Sequence, residues 1–307
     1  MTFGEFWPSF ILQKEFVAKK TTIAAYTLTW EKHLKPTFEN VDLACVKNSF
    51  VQKFVNEGFS NGRHMKVLRD DVTLLKNMIK TYSVMEDERV FIPVIMWPTK
   101  AKMQDEQKKR EKYTDAEISK IVEFCKSSDK HWHKSIALAC LTGLRIGEVA
   151  GLKFSDFDFH NNLVSVRRTV GRLYMGKGKS ELYVNTTKTL CSNRTVPIPK
   201  WLSKYYSTYK TLYALDDDAF ITSGEHILFI EPRTLRSRFK ALVEKLGIEY
   251  KSFHSIRHSY ASRLLLSGVD VRTTAELLGH SDVAMTLNVY SHSDEKAKRK
   301  AAEKAFM

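Results

Sequence analysis

A chain of 307 residues exceeds what one hydrophobic core commonly serves, about 250–300 residues, so it reads as two domains. Hydrophobic residues make up 43% of it, which excludes a disordered tail protein, and 49 Lys and Arg against 35 Asp and Glu give a net charge of +14. Such an excess points to a polyanion, nucleic acid before others, with a merely basic surface as the alternative; residues 1–110 carry 18 basic and 13 acidic side chains and the remainder 31 and 22, so both parts share it.

Residues 1 to about 90 read as a compact four-helix domain. TTIAAYTLTWEKHLKPTF sets Ile23, Tyr26, Leu28, Trp30 and Leu34 on an approximate helical stripe, with Thr21 or Thr22 as N-cap. VKNSFVQKFVNEGF repeats the pattern through Phe50, Val51, Phe54 and Val55, and HMKVLRDDVTLLKNMIKTYSVM through Leu68, Val72, Leu75 and Ile79. FIPVIMWPTKAKMQDEQKKREKY, with its two prolines and charged run, reads as a linker over about 91–111. Thr114 and Glu117 then form a capping box ahead of Ile118, Ile121 and Phe124, which starts a second domain near residue 112. There KSIALACLTG is a buried helix or its end, NNLVSVRRTVGRLYM, ELYVNTTKT and NRTVPIP are short strands, and helices return from about residue 200. The expected class is mainly α with a small antiparallel sheet, α+β.

Cys45, Cys125, Cys140 and Cys191 form no CxxC pair and read as reduced thiols of an intracellular protein. No apolar run approaches the roughly 18 residues that would span a bilayer, and MTFGEFWPSF lacks the basic start and apolar core of a secretory signal. The expected location is the cytoplasm, with the nucleoid, and no membrane partner.

Chemistry gathers late in the chain. FHSIRHSYAS sets His254 and His258 four apart with Arg257 between them. Zinc proteases place a Glu directly after the first His of such a pair; here it is Ser255, Arg257 adds a cation, and no third ligand is evident. Phosphate suits the stretch better, because His254 and Arg257 lie one turn apart and both donate hydrogen bonds, Arg as a rigid fork. LTGLRIGEVAGLKFSD places Arg145 just after a glycine turn, and LLGHSDVAMTLNVYSH supplies His280 and Tyr290.

In combination and order, TGLRIGE, HSIRHSYAS and LLGHSD…VYSH resemble the tyrosine recombinase, or phage integrase, family of site-specific DNA recombinases, and the resemblance covers essentially the whole chain. It implies a SAM-like helical core-binding domain over 1–90, a basic linker over 91–111 and a catalytic domain with a C-terminal tail helix over 112–307. Arg145 and Arg257 would bind the non-bridging oxygens of the scissile phosphate, His254 and His280 would support them, and Tyr290 would attack phosphorus to give a 3′-phosphotyrosine. Lys188, in TTKTLCSNRTVPIP, would protonate the leaving 5′-oxygen, although Lys177, Lys179 and Lys200 flank the same strands. A phenol with a pKa of about 10 is a weak nucleophile until a cationic site favours its phenolate. The bond energy stays in the phosphotyrosine, so the reading calls for no cofactor and no metal.

The same resemblance implies double-stranded DNA as partner, a homotetramer on two sites with the tail DEKAKRKAAEKAF docked in trans, and accessory or host DNA-bending factors. Lys100, Lys102, Lys108, Lys109 and Arg110 would grip phosphates from the linker, against the alternative of a solvated charge run. Glu148 would orient the arginine site, or simply pair with Arg145; His258, Tyr183 and Tyr260 read as packing. The ten-residue step from His280 to Tyr290 leans toward integrases of phages and mobile elements, and the start of the chain directly in the core-binding domain suggests that an arm-binding domain is missing. An invertase or resolvase, a type IB topoisomerase and a catalytically silent DNA-binding regulator are the rival readings; the full residue set argues against the last.

Overall fold

In a computed structural model, residues 1–98, 111–186, 193–222, 229–280, 282–284 and 287 are described. The chain divides into two units, one of Met1–Lys108 with Arg172–Leu182, the other of Lys109–Gly171 with Tyr183–Met307. Among the described residues, no helix is long and apolar enough to cross a membrane.

The first unit is built on α1 (Phe3–Val17), α2 (Lys20–Thr29), α3 (Lys35–Phe38), α4 (Asn48–Ser60) and α5 (Met65–Met85). Thr2 and Glu5 close a capping box at the start of α1. The helix expected to be capped by Thr21 or Thr22 instead begins at Lys20, with Lys19 at the cap position and no side-chain cap bond. Only Ala18 and Lys19 separate α1 from α2, so chain entry sets the start and both threonines fall in the first turn. Between α2 and α3 the chain widens into a π turn, Trp30–Leu34, where the Lys35 amide bonds the Trp30 carbonyl. This keeps Trp30, Leu34 and Phe38 on the buried side, and Trp30 stacks on Trp7 with ring centroids 4.9 Å apart. Leu68, Val72, Leu75 and Ile79 are all buried, as their spacing predicts, whereas Phe50 stays 38% exposed beside buried Val51, Phe54 and Val55.

Residues 91–98, at the start of the expected linker, lie along α4. Val94 and Met96 donate their amides to Asn48 Oδ1 (2.7 Å) and Gln52 Oε1 (2.9 Å), and Ile95 is buried in the first unit's core. Composition showed the prolines; it did not show that polar side chains of α4 satisfy this extended backbone.

The second unit opens with α6 (Asp115–Ser127), where both bonds of the Thr114–Glu117 capping box form. The stretch KSIALACLTG lies in α7 (His131–Thr142), with Ile136–Cys140 wholly buried. After the short α8 (Ile146–Gly151) come β1 (Phe157–Asp158), β2 (Leu163–Val166), β3 (Arg168–Gly176), β4 (Lys179–Thr186) and β5 (Arg194–Pro197). β2 pairs antiparallel with β1 and β5, setting Val164 opposite Val196, both fully buried; β3 and β4 form a separate two-stranded sheet. Helices α9 (Lys200–Leu212), α10 (Pro232–Lys245), α11 (Phe253–Leu266) and α12 (Val271–Leu278) follow. The class is the expected one, mostly helical with small antiparallel sheets.

Candidate active site

Two helix ends and one strand build the site. α7 stops at Gly143, whose φ of 66° is left-handed and whose amide bonds the Ala139 carbonyl. The turn buries Leu144 and puts Arg145 at the cap of α8. Glu148, one turn on, is 3% exposed and accepts both the Arg145 amide (2.9 Å) and Arg145 Nη1 (2.8 Å). α12 ends in the same way at Gly279, φ 66°, and the His280 amide bonds back to the Ala275 carbonyl.

The last carbonyls of a helix lack intrahelical donors and carry partial negative charge. At the end of α12 three successive carbonyls each take an arginine: Leu277 from Arg194 Nε (2.8 Å), Leu278 from Arg257 Nη2 (2.6 Å) and Gly279 from Arg145 Nη2 (3.4 Å). Arg257 also reaches the Gly143 carbonyl through Nη1 (3.1 Å), tying both helix ends together. Two of these guanidiniums, Arg145 and Arg194, bond one carboxylate, Glu148, while Arg257 bonds carbonyls alone, so the three leave an excess of two positive charges. Burial pushes the Glu148 carboxyl up, but its bonds to Arg194 and the charges of Arg194 and Arg145 outweigh this and hold it below the ordinary carboxylate range. Burial, with Arg145 and Arg194 nearby, lowers Arg257 to about 9, against the pull of Glu148; it remains protonated at neutral pH.

On the open side a pocket of about 530 Å³ is lined by Arg145, Arg236, Tyr250, Ser252, His254 and Arg257, among others. Arg145 is 40% exposed along its side chain, so it faces the pocket while anchored behind. His254 is exposed on α11, the helix of Arg257, its ring edge-on to His258 with centroids 4.7 Å apart. The structure therefore brings Arg145, His254, Arg257 and His280 to one place, with Arg145 paired to Glu148 as well. Lys188 and Tyr290 lie outside the described residues, as do Lys100, Lys102, Lys108, Lys109 and Arg110. Tyr260 packs between Gly143 and Leu278, and its phenol is pushed up by burial. Among the described residues no group of three or more His, Cys, Asp or Glu gathers as a metal site.

Arg194 escaped the sequence reading, although a signal was present. In a strand, residues 194, 196 and 198 share a face, and Val196 and Ile198 are core residues. An arginine in phase with them must point inward, and an inward arginine needs a partner. Arg236 gave no comparable signal: it is one of several cations along an exposed stretch of α10.

Two consequences are testable. An Ala at Gly143 would carry Cβ to 2.5 Å from Tyr260 Cδ1 and hold a left-handed backbone. Gly143→Ala should destabilise the protein by about 2–4 kcal/mol in urea denaturation, and a loss below about 1 kcal/mol would mean that the turn relaxes freely. The second concerns pH. Burial above all lowers His131, His133 and His280 to about 4, with cations nearby adding to the effect at each. The unfolded chain protonates these rings near 6.5, so below that pH it binds more protons than the folded one. Stability is full above about pH 6.5 and is lost as pH falls toward 4. The thermal midpoint should drop by several degrees between pH 7.5 and 5; a flat profile over that range would refute the account.

The chain matches the Phage integrase family over residues 111–297 and the "Phage integrase, N-terminal SAM-like domain" over residues 2–58. It is 28% identical to a "Tyrosine recombinase XerC-like" protein of Caldanaerobacter subterraneus subsp. tengcongensis, over 99% of this chain and 82% of that one. It is 26% identical to the transposase from transposon Tn916 of Enterococcus faecalis over 69% of its own length, but spans only 55% of that relative. The fold superposes on the Tn1549 transposon integrase in complex with transposon right end DNA with a TM-score of 0.79, at 20% identity and 100% of both chains.

Proposed function

The chain belongs to the phage integrase family of tyrosine recombinases, enzymes that cleave and rejoin DNA at specific sites, and from that premise we propose which residues carry the exchange and on what DNA. The substrate is double-stranded DNA at the ends and target of a mobile element, and the outcome is integration and excision. The observation that carries this reading is the arginine cluster, with three cations fixed on one helix end, one carboxylate, and an open pocket beside Arg145 and Arg257.

A phosphodiester bound there meets Arg145 and Arg257 at its non-bridging oxygens. Both guanidiniums are already oriented, so little reorganisation opposes the charge that builds on the pentacoordinate phosphorus. His254 donates from the exposed side. His280, neutral at pH 7, serves as a hydrogen-bond donor and not as a further cation. The Tyr290 oxygen forms the new P–O bond, the bond to the 5′-oxygen breaks, and Lys188 gives that oxygen its proton. A 5′-hydroxyl of the partner DNA then reverses the step on the phosphotyrosine. Four protomers act on two sites, with accessory factors as the element requires, and the basic residues at 100–110 add phosphate contacts whose strength falls with salt.

Covalent trapping tests the reading. The protein is mixed with nicked duplexes taken from the ends flanking its gene and run on a denaturing gel. An adduct is expected. Tight binding without adduct on any such DNA would favour a silent DNA-binding regulator. Relaxation of any supercoiled plasmid regardless of sequence would favour a topoisomerase, and exchange confined to inverted sites on one molecule would favour an invertase.

A further inference from the structure

We infer that Arg194 is a positioning residue for strand cleavage: it clasps Glu148 so that Arg145 keeps its outward face for the scissile phosphate. The inference rests on the proposed role of Arg145. Arg194 does not line the pocket that Arg145, His254 and Arg257 share, and its side chain is turned inward. Its guanidinium is committed on three sides, with Nε on the Leu277 carbonyl (2.8 Å), Nη1 on Glu148 Oε1 (3.2 Å) and Nη2 on Glu148 Oε2 (2.8 Å).

Glu148 is thereby filled. Each carboxylate oxygen accepts one bond from Arg194 and one from Arg145, four in all, which matches the roughly four acceptor sites of an ionised carboxylate. The division matters because Arg145 spends only Nη1 on the carboxylate side chain. Without Arg194, the buried carboxylate has one guanidinium left to bond. It draws Arg145 into a two-pronged pair, which spends on Glu148 the positive charge that Arg145 would offer the phosphate. The fold also makes room for the clasp: a Cβ on Gly279 would sit 2.8 Å from Arg194 Nη1. Arg194 and Arg257 hold neighbouring carbonyls of α12, so the clasp also fixes the turn that leads into His280.

Single-turnover cleavage of a nicked duplex decides the matter, with DNA affinity and thermal midpoint measured beside it. Arg194→Met should slow cleavage by about 30- to 100-fold with affinity changed less than about threefold. Adding Glu148→Gln to it removes the misplaced charge and should recover at least about fivefold of the rate, a rescue that a purely structural role would not give. Should Arg194→Met not fold, Arg194→Lys takes its place; it keeps the charge but not the fork, and should cleave about tenfold slower, with the same relief by Glu148→Gln. A wild-type rate in the folded Arg194 variant, an equal loss of rate and affinity, or no relief by Glu148→Gln would each overturn the inference. Arg145→Gln keeps the two readings apart. If it cleaves normally, the phosphate role of Arg145 fails; if it is inactive while the Arg194 variant is normal, only the clasp fails.

Discussion

Tyr290→Phe is expected to bind its DNA as the parent does and to form no covalent adduct with it. The substitution removes one oxygen and keeps the ring, so affinity, which comes mainly from phosphate contacts elsewhere, should change little. Cleavage should fall by at least about 10⁴-fold, as when a covalent nucleophile is deleted from an otherwise complete site. A rival close to the arginines along the chain is Tyr260, one turn after Arg257 on α11. It is a poor candidate: its ring is wedged against Gly143 and Leu278, and burial raises the phenol further above its ordinary value, away from the phenolate needed for attack. Tyr260→Phe should therefore still trap DNA. An adduct that survives Tyr290→Phe would move the nucleophile to another tyrosine and cancel the role given to residue 290.

Much of this site is legible in the sequence because its parts are side chains with narrow chemistry. His254 and Arg257 one helical turn apart, and Arg145 behind a glycine turn, announce an anion site before any fold is known. Of what holds the arginines in place, only Glu148 is legible. Their other acceptors are the Gly143, Leu277, Leu278 and Gly279 carbonyls, which every residue type possesses, so no letter of the sequence marks them. Arg194 lies between these cases, betrayed only by its phase with Val196 and Ile198. The fold divides in a similar way. Periodicity found the buried stripe of α5 and the Thr114–Glu117 cap, both local. It misplaced the start of α2, which depends on how α1 ends, and it read residues 91–98 as linker because the side chains that receive them come from α4. Lys188 and Tyr290 rest on motif resemblance, not on geometry.

The second large effect is expected at Arg257, where activity and stability should part company. In Arg257→Met the stem is kept and the guanidinium lost, which strands the Gly143 and Leu278 carbonyls at about 1–3 kcal/mol for each buried acceptor left unpaired. Against this, the wild type keeps a nearly sealed cation, 3% exposed and close to two others, at a desolvation cost visible in its lowering to about 9. Replacing such a charge with an apolar side chain is often neutral or better for stability. The opposing terms are of similar size, so the folding free energy should move by no more than about 2 kcal/mol. Cleavage has no such compensation. The charge that develops on the non-bridging oxygens loses one of two preorganised donors, and the rate should fall by about 10³-fold. Arg257→Lys restores the charge but cannot bridge two carbonyls and a phosphate from one compact ammonium, so it should recover tenfold at most. Single-turnover cleavage beside urea denaturation checks both halves. A variant that cleaves within tenfold of the parent would remove Arg257 from the phosphate site, and one that unfolds outright would make its main task the joining of the two helix ends.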